Sequence, residues 1–146
     1  MRVYLDNCAL NRPFDDQVQE RIRRESESVL ELRKLIELGR IELVWSYVID
    51  YENYRNPFND RRNGVEGWKG LASLEIAPSP DIDSGSLDLL ALGLGDADSL
   101  HLTCAIKANA DYFVTTDDAI IKRSEGFPGP LIVSNPIDLM EVVKKT

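Results

Sequence analysis

The chain has 146 residues, close to the usual size of one domain, so a single domain over residues 1–146 with one sizeable core is expected. Its 17 basic side chains are outnumbered by 25 acidic ones, a net charge of −8 that argues against sequence-blind electrostatic gripping of nucleic acid by the whole surface. No charged segment followed by an apolar core opens the sequence and no apolar run is long enough to span a bilayer, so a cytoplasmic location is expected.

Val3, Tyr4 and Leu5 have the β-branched and aromatic character of a strand, which ends at Asp6 before the turn formers Asn7, Asn11 and Pro13. Asp15 or Asp16 is placed to cap a helix with apolar positions Val18, Ile22, Val29, Leu32 and Ile36, stopped by Gly39. Ile41 to Trp45 reads as a second strand. Ser46 caps the helix after it, which carries Asp50 and Glu52 and ends before Pro57. Residues 56–70, NPFNDRRNGVEGWKG, are the least periodic stretch; they have room for a short helix, which the glycines and polar residues disfavour, and are the candidate for a mobile, substrate-facing segment.

Leu74 to Ala77 gives a short strand, followed by PSPD and then a helical stripe of Leu87, Leu90, Ala91 and Leu94 that ends at Gly93 and Gly95. Asp96 is placed as the cap of a helix with Ala97, Leu100, Cys104, Ala105 and Ala108 inward. Tyr112 to Thr115 forms a strand running into Thr116, Asp117 and Asp118, Leu131 to Val133 forms the last strand, and Asn135 with Pro136 opens a final helix through Val143. Strands alternating with helices point to an α/β sandwich with a mainly parallel central sheet, whose ligand crevice lies beyond the carboxyl ends of the strands.

Acids gather at that edge. Asp6 ends the first strand, Glu52 follows the second, Asp98 lies in the first turn of a helix and Asp117 ends a later strand. Like charges at short range raise one another's pKa unless a cation joins them, and oxygen-only donors suit Mg²⁺ or Mn²⁺ rather than zinc. Such an ion permits phosphodiester hydrolysis by a metal-activated water, with no serine or cysteine nucleophile. Cys8 and Cys104 are too few and too far apart for a disulfide framework or a metal clip, and both read as small packing groups. His101 reads as a packed or solvent-facing helical residue, and Asn11 and Arg12 as turn residues or phosphate contacts. Taken singly, any of the aspartates serves equally as a turn former or cap. Asp50 competes with Glu52, Asp96 with Asp98, and Asp118 with Asp117.

The stretches VYLDNCAL, SYVIDYE, DADSLHLTCA and DYFVTTDD together resemble the PIN-domain nucleases, and in length and layout the chain resembles VapC-type toxin ribonucleases. The resemblance covers essentially the whole chain and implies a PIN-like α/β/α sandwich. It implies that Asp6, Glu52, Asp98 and Asp117 hold Mg²⁺ or Mn²⁺, that the substrate is RNA, and that a small antitoxin protein and a homodimer are the partners. It also gives Thr115 a supporting role. The chain departs from the family at Asn7, where Ser or Thr is frequent. A catalytically inactive PIN-like module binding RNA or protein would share the fold. An aspartyl-nucleophile phosphatase needs a second carboxylate two places after Asp6, and that position is Cys8.

Overall fold

The short apolar runs form one sheet, in a computed structural model that describes residues 1–127 and 129–146. The strands are β1 (Arg2–Leu5), β2 (Glu42–Ser46), β3 (Leu74–Ile76), β4 (Tyr112–Val114) and β5 (Ile132–Ser134). They pair in the order β3-β2-β1-β4-β5, every pair parallel. β1 is central, with Val3 beside Leu43 on one side and Tyr112 on the other. Val3, Tyr4 and Leu5 are wholly buried, which explains why this strand reads as continuously apolar: helices cover both faces of a parallel sheet. The chain builds outward from β1 to β2 and β3, then crosses to the other side for β4 and β5. The crevice expected at such a reversal lies at the carboxyl ends of β1 and β4.

Between β1 and β2 run α1 (Asn7–Asn11), a 3-10 turn at Arg12–Phe14 and α2 (Glu20–Glu37). Val29, Leu32 and Ile36 bury the inner stripe of α2. Gly39, at φ +74°, stops it, its N–H donating to Ile36 O while Arg40 N–H reaches back to Leu35 O. The start of α2 differs from expectation. Neither Asp15 nor Asp16 caps it; Gln19 holds that position without a side-chain bond. Asp15 is instead held by Arg12 at 3.0 Å and Arg61 at 2.8 Å, and Asp16 accepts the Val18 N–H in a local turn that leaves Val18 exposed.

Ser46 caps α3 (Tyr47–Tyr54) by accepting the Ile49 N–H. The stretch expected to be irregular forms α4 (Asn59–Lys69), pinned by buried Val65 and Trp68, one turn apart, with the Arg33 guanidinium 5.1 Å from the Trp68 ring. Gly64, whose missing side chain lets the Phe14 ring pack against the helix, adds a third inward position. Next, α5 (Pro80–Leu90) begins within PSPD, where Ser79 caps and Pro80 takes the first helical position, and it buries Ile82 and Leu89 while Leu87 is exposed. α6 (Asp96–Lys107) has Gly95 at its cap position and no side-chain cap bond, so Asp96 is not a cap. α7 (Asp118–Arg123) follows β4, and α8 (Pro136–Lys144) opens on Asn135 and Pro136 as the sequence suggests. Among the described residues, no helix is long and apolar enough to cross a membrane.

Candidate functional site

Asp6 follows β1 and is 3% exposed. Its backbone N–H donates to Val114 O at 3.1 Å, stapling the strand end to β4, and its Oδ1 caps α1 by accepting the Ala9 N–H at 2.9 Å. Burial pushes its carboxyl up to about 6, against the lowering pull of the Thr115 hydroxyl, the Ala9 amide and His101, with the charge of Asp98 adding to the rise. Asp117 caps α7 through the Ala119 N–H, and its own N–H donates to Thr115 Oγ1 at 3.1 Å. Thr115, wholly buried, therefore ties the two strand-ending aspartates together.

Glu52 projects from α3. Its Oε1 accepts from Asn7 Nδ2 at 3.2 Å and from His101 Nε2. Because a carboxylate only accepts, Nε2 carries the ring hydrogen; the Tyr4 hydroxyl donates to Nδ1 and is bonded at 2.7 Å to Ser46 Oγ. A buried chain thus runs Ser46, Tyr4, His101, Glu52. His101 is packed, one of its two expected settings, but its hold on Glu52 went unread. The signal was present: one helical turn separates it from Asp98, so both project from the same side of α6. Asp98 itself is half-buried, and its carboxyl is raised by burial and by the charges of Asp117 and Glu52, with His101 and Arg123 acting the other way.

Cys8 reports the convergence. Burial first, then the negative charges of Asp6, Asp117, Asp98 and Glu52, push its thiol up to about 12. Carboxylates from four separate places in the chain thus act on one sulfur. Cys8 is not the packing group expected; it is exposed on the wall of a cleft of about 460 Å³ shared with Asn7, Asn11, Arg12, Asp15, Thr116 and Asp117. The competing acids lie elsewhere or are occupied. Asp50 accepts from Trp45 Nε1 at 2.9 Å and Lys69 Nζ at 3.0 Å. Asp118 takes a two-pronged bond from Arg21 at 2.8 and 2.6 Å, and Asp96 is exposed. Among the described residues, Asp6, Asp98 and Asp117 form no salt bridge.

The fold has known counterparts. The chain superposes on the crystal structure of VapBC2 from Rickettsia felis bound to a DNA fragment from its promoter, with a TM-score of 0.60 at 17% identity, over 92% of this chain and 98% of that one. The fold is that of a PIN domain. PAE2754 from Pyrobaculum aerophilum is a second structural neighbour, with a TM-score of 0.52 at 14% identity over 98% of this chain and 97% of that one. No family model matches the sequence. No curated protein matches it either.

The donors at the acidic edge of this PIN fold suit a hard divalent cation. They are carboxylate and amide oxygens, and Asn7 Oδ1 is buried without a hydrogen-bond partner while Nδ2 of the same side chain holds Glu52. Among the described residues, no three His, Cys, Asp or Glu side chains are gathered to hold a metal. Mg²⁺ commonly keeps several of its own waters, so carboxylates spaced more widely than a direct cage can share one hydrated ion.

Asp6 also sets a pH dependence for the folded chain. Its folded-state pKa of about 6 exceeds the value of about 3.9 in an unfolded chain. The stabilising contribution is therefore full below about pH 4 and lost as pH rises through about 6, a change on the order of 3 kcal/mol. Melting of the metal-free protein should show this loss between about pH 4 and 6 after subtraction of the Asp6→Asn profile, levelling off above that; parallel profiles for the two proteins would contradict it.

Proposed function

We propose that the protein is a metal-dependent endoribonuclease acting as the toxin of a toxin–antitoxin pair, with Asp6, Glu52, Asp98 and Asp117 as its working acids. The observation that supports it most is the placement of Asp6 and Asp117 just beyond the adjacent strands β1 and β4, at the edge where such a sheet carries its crevice, with Glu52 held close by through Asn7 and His101. Asp6, Asp98 and Asp117 would hold Mg²⁺ or Mn²⁺, and Glu52 would hold metal or orient water. When bound, the ion supplies a Lewis acid that favours hydroxide over water and offsets charge on the scissile phosphate.

The chain's own residues do the rest. Thr115 keeps Asp6 and Asp117 at a set separation, while Asn7 and His101 both bond Oε1 of Glu52 and leave Oε2 for a water or a proton. The negative charges of Asp6, Asp117, Asp98 and Glu52 around Cys8 favour its protonated thiol over the thiolate a nucleophile would need. His101 is no free base, because both ring nitrogens are engaged. RNA as substrate and a homodimeric state come from the resemblance to VapC-type toxins, and the VapBC2 neighbour supports an antitoxin partner.

The test is incubation of a mixed single-stranded RNA pool with the purified protein in Mg²⁺, Mn²⁺ or EDTA, beside calorimetric titration with Mn²⁺. Cutting in either metal, none in EDTA, and Mn²⁺ binding that weakens below about pH 6, where protons compete for Asp6, are expected. No cutting and no Mn²⁺ binding would replace the reading with an inactive RNA- or protein-binding module.

A further inference from the structure

A second cleft adjoins the acids. It lies between α3 and α6, encloses about 490 Å³, and is walled by Tyr51, Glu52, Arg55, Asp96 and Leu100 among others. Glu52 belongs to this wall and also accepts from Asn7, the neighbour of Asp6, at 3.2 Å, so the cleft runs up to the acidic edge. Tyr51 and Arg55 are one helical turn apart on α3. The Arg55 guanidinium lies over the Tyr51 ring, 5.5 Å from its centroid, and Nη1 donates to the Tyr51 hydroxyl at 3.1 Å. Tyr51 is nevertheless 60% exposed, and among the described residues Arg55 has no carboxylate within salt-bridge distance.

An exposed aromatic ring carrying an unneutralised guanidinium suits a nucleotide better than it suits apolar protein surface. Bases stack on tyrosine and on the arginine plane alike, and a guanidinium takes phosphate oxygens in pairs. Asp96 disfavours phosphate on its own side of the cleft, which leaves Arg55 as the anchor. We infer that the α3/α6 cleft is a nucleotide subsite beside the scissile phosphate, in which one base of a single-stranded RNA stacks on Tyr51 and its phosphate pairs with Arg55. The inference rests on the nuclease reading for its substrate and narrows it: a base held in a duplex cannot reach the ring, so unpaired RNA is selected over paired. It also reconciles the net charge of −8 with an RNA substrate, since one stacked base and one cation are local and do not need a basic surface.

The experiment measures affinity and turnover separately on the whole chain. A labelled, unstructured RNA oligonucleotide is titrated in EDTA and read by fluorescence anisotropy, and the same RNA is cut in Mn²⁺. Tyr51→Ala is expected to weaken binding about tenfold and to raise KM by a similar factor with kcat unchanged, while Tyr51→Phe stays near the native value. Arg55→Gln should weaken binding and reduce the salt slope by about one. A single abasic site walked along the RNA should find one position at which Tyr51→Ala costs nothing more, because base and ring form one contact. Unchanged Kd and KM in Tyr51→Ala, with RNA still cut, would overturn the subsite and leave the nuclease intact. Tyr51-dependent binding without cutting would keep the subsite and sink the nuclease. Unchanged RNA affinity with loss of self-association in Tyr51→Ala would overturn it in favour of a protein interface.

Discussion

Asp6→Asn lowers the rate of RNA cleavage about 10³-fold and at the same time raises the melting temperature of the metal-free protein at pH 7.5. The two effects have one origin. The carboxylate is 3% exposed and its pKa stands at about 6, so holding it ionised near neutrality works against folding. Asparagine removes that charge while keeping the shape and the oxygen that accepts the Ala9 N–H, and it is as good an N-cap as aspartate. What it cannot replace is a negative oxygen for a divalent cation. Single-turnover cleavage in Mn²⁺ and thermal melts in EDTA, on the same preparation, read both signs. An inactive variant that is also destabilised would mean that activity was lost through folding, and an active one would place Asp6 outside the chemistry.

The second large effect is on stability. Arg12→Ala should lower it by about 3 kcal/mol, or roughly 10 °C in melting temperature, because it strands Glu25. Glu25 is wholly buried on α2, with Arg12 Nε 3.1 Å and Arg21 Nε 3.4 Å from its oxygens and Asn135 Nδ2 donating to it. The Arg12 contact is close but poorly aligned for a hydrogen bond, so its value is that of two opposite charges out of water. Arg21 remains in the variant, but its side chain is half-exposed and shared with Asp118. Replacing both members, Arg12→Met with Glu25→Leu, should recover most of the loss, since no buried charge is left alone. Chemical denaturation of the single and double variants decides this; equal losses in both would assign the effect to packing. The same geometry turns Arg12 from a loop residue free to meet phosphate into a strut between the site and α2.

Much of this arrangement was legible because its cues are local. A continuous apolar run marked β1, Ser46 stood at the start of α3, and Asn135 with Pro136 opened α8. Each cue acts within a few residues of itself. α4 escaped because Val65 and Trp68 are its only buried positions, too few to show a period, and α1 escaped because Asn7 and Asn11 are turn formers. Asp96 was misplaced as a cap because Gly95, which has no side chain to signal it, fills that position.

The candidate site was readable to a different depth. The strand ends and the first turn of α6 located the acids, but which acid of each neighbouring pair is free is a tertiary matter. Asp50 is taken by Trp45 and Lys69, and Asp118 by Arg21 from α2. The chain from Ser46 through Tyr4 and His101 to Glu52 joins four different elements, and nothing near any one of them in sequence announces it.

The place of β1 in the sheet has a consequence for how the protein is made. The strand synthesised early sits in the middle and cannot be closed on its β4 side until Tyr112–Val114 emerges, long after it. Asp117 arrives later still. A nascent chain on the ribosome can therefore carry Asp6, Glu52 and Asp98 before the β4 side of the crevice exists. Synthesis order leaves the crevice at the carboxyl ends of β1 and β4 unfinished until nearly all of the sheet is in place.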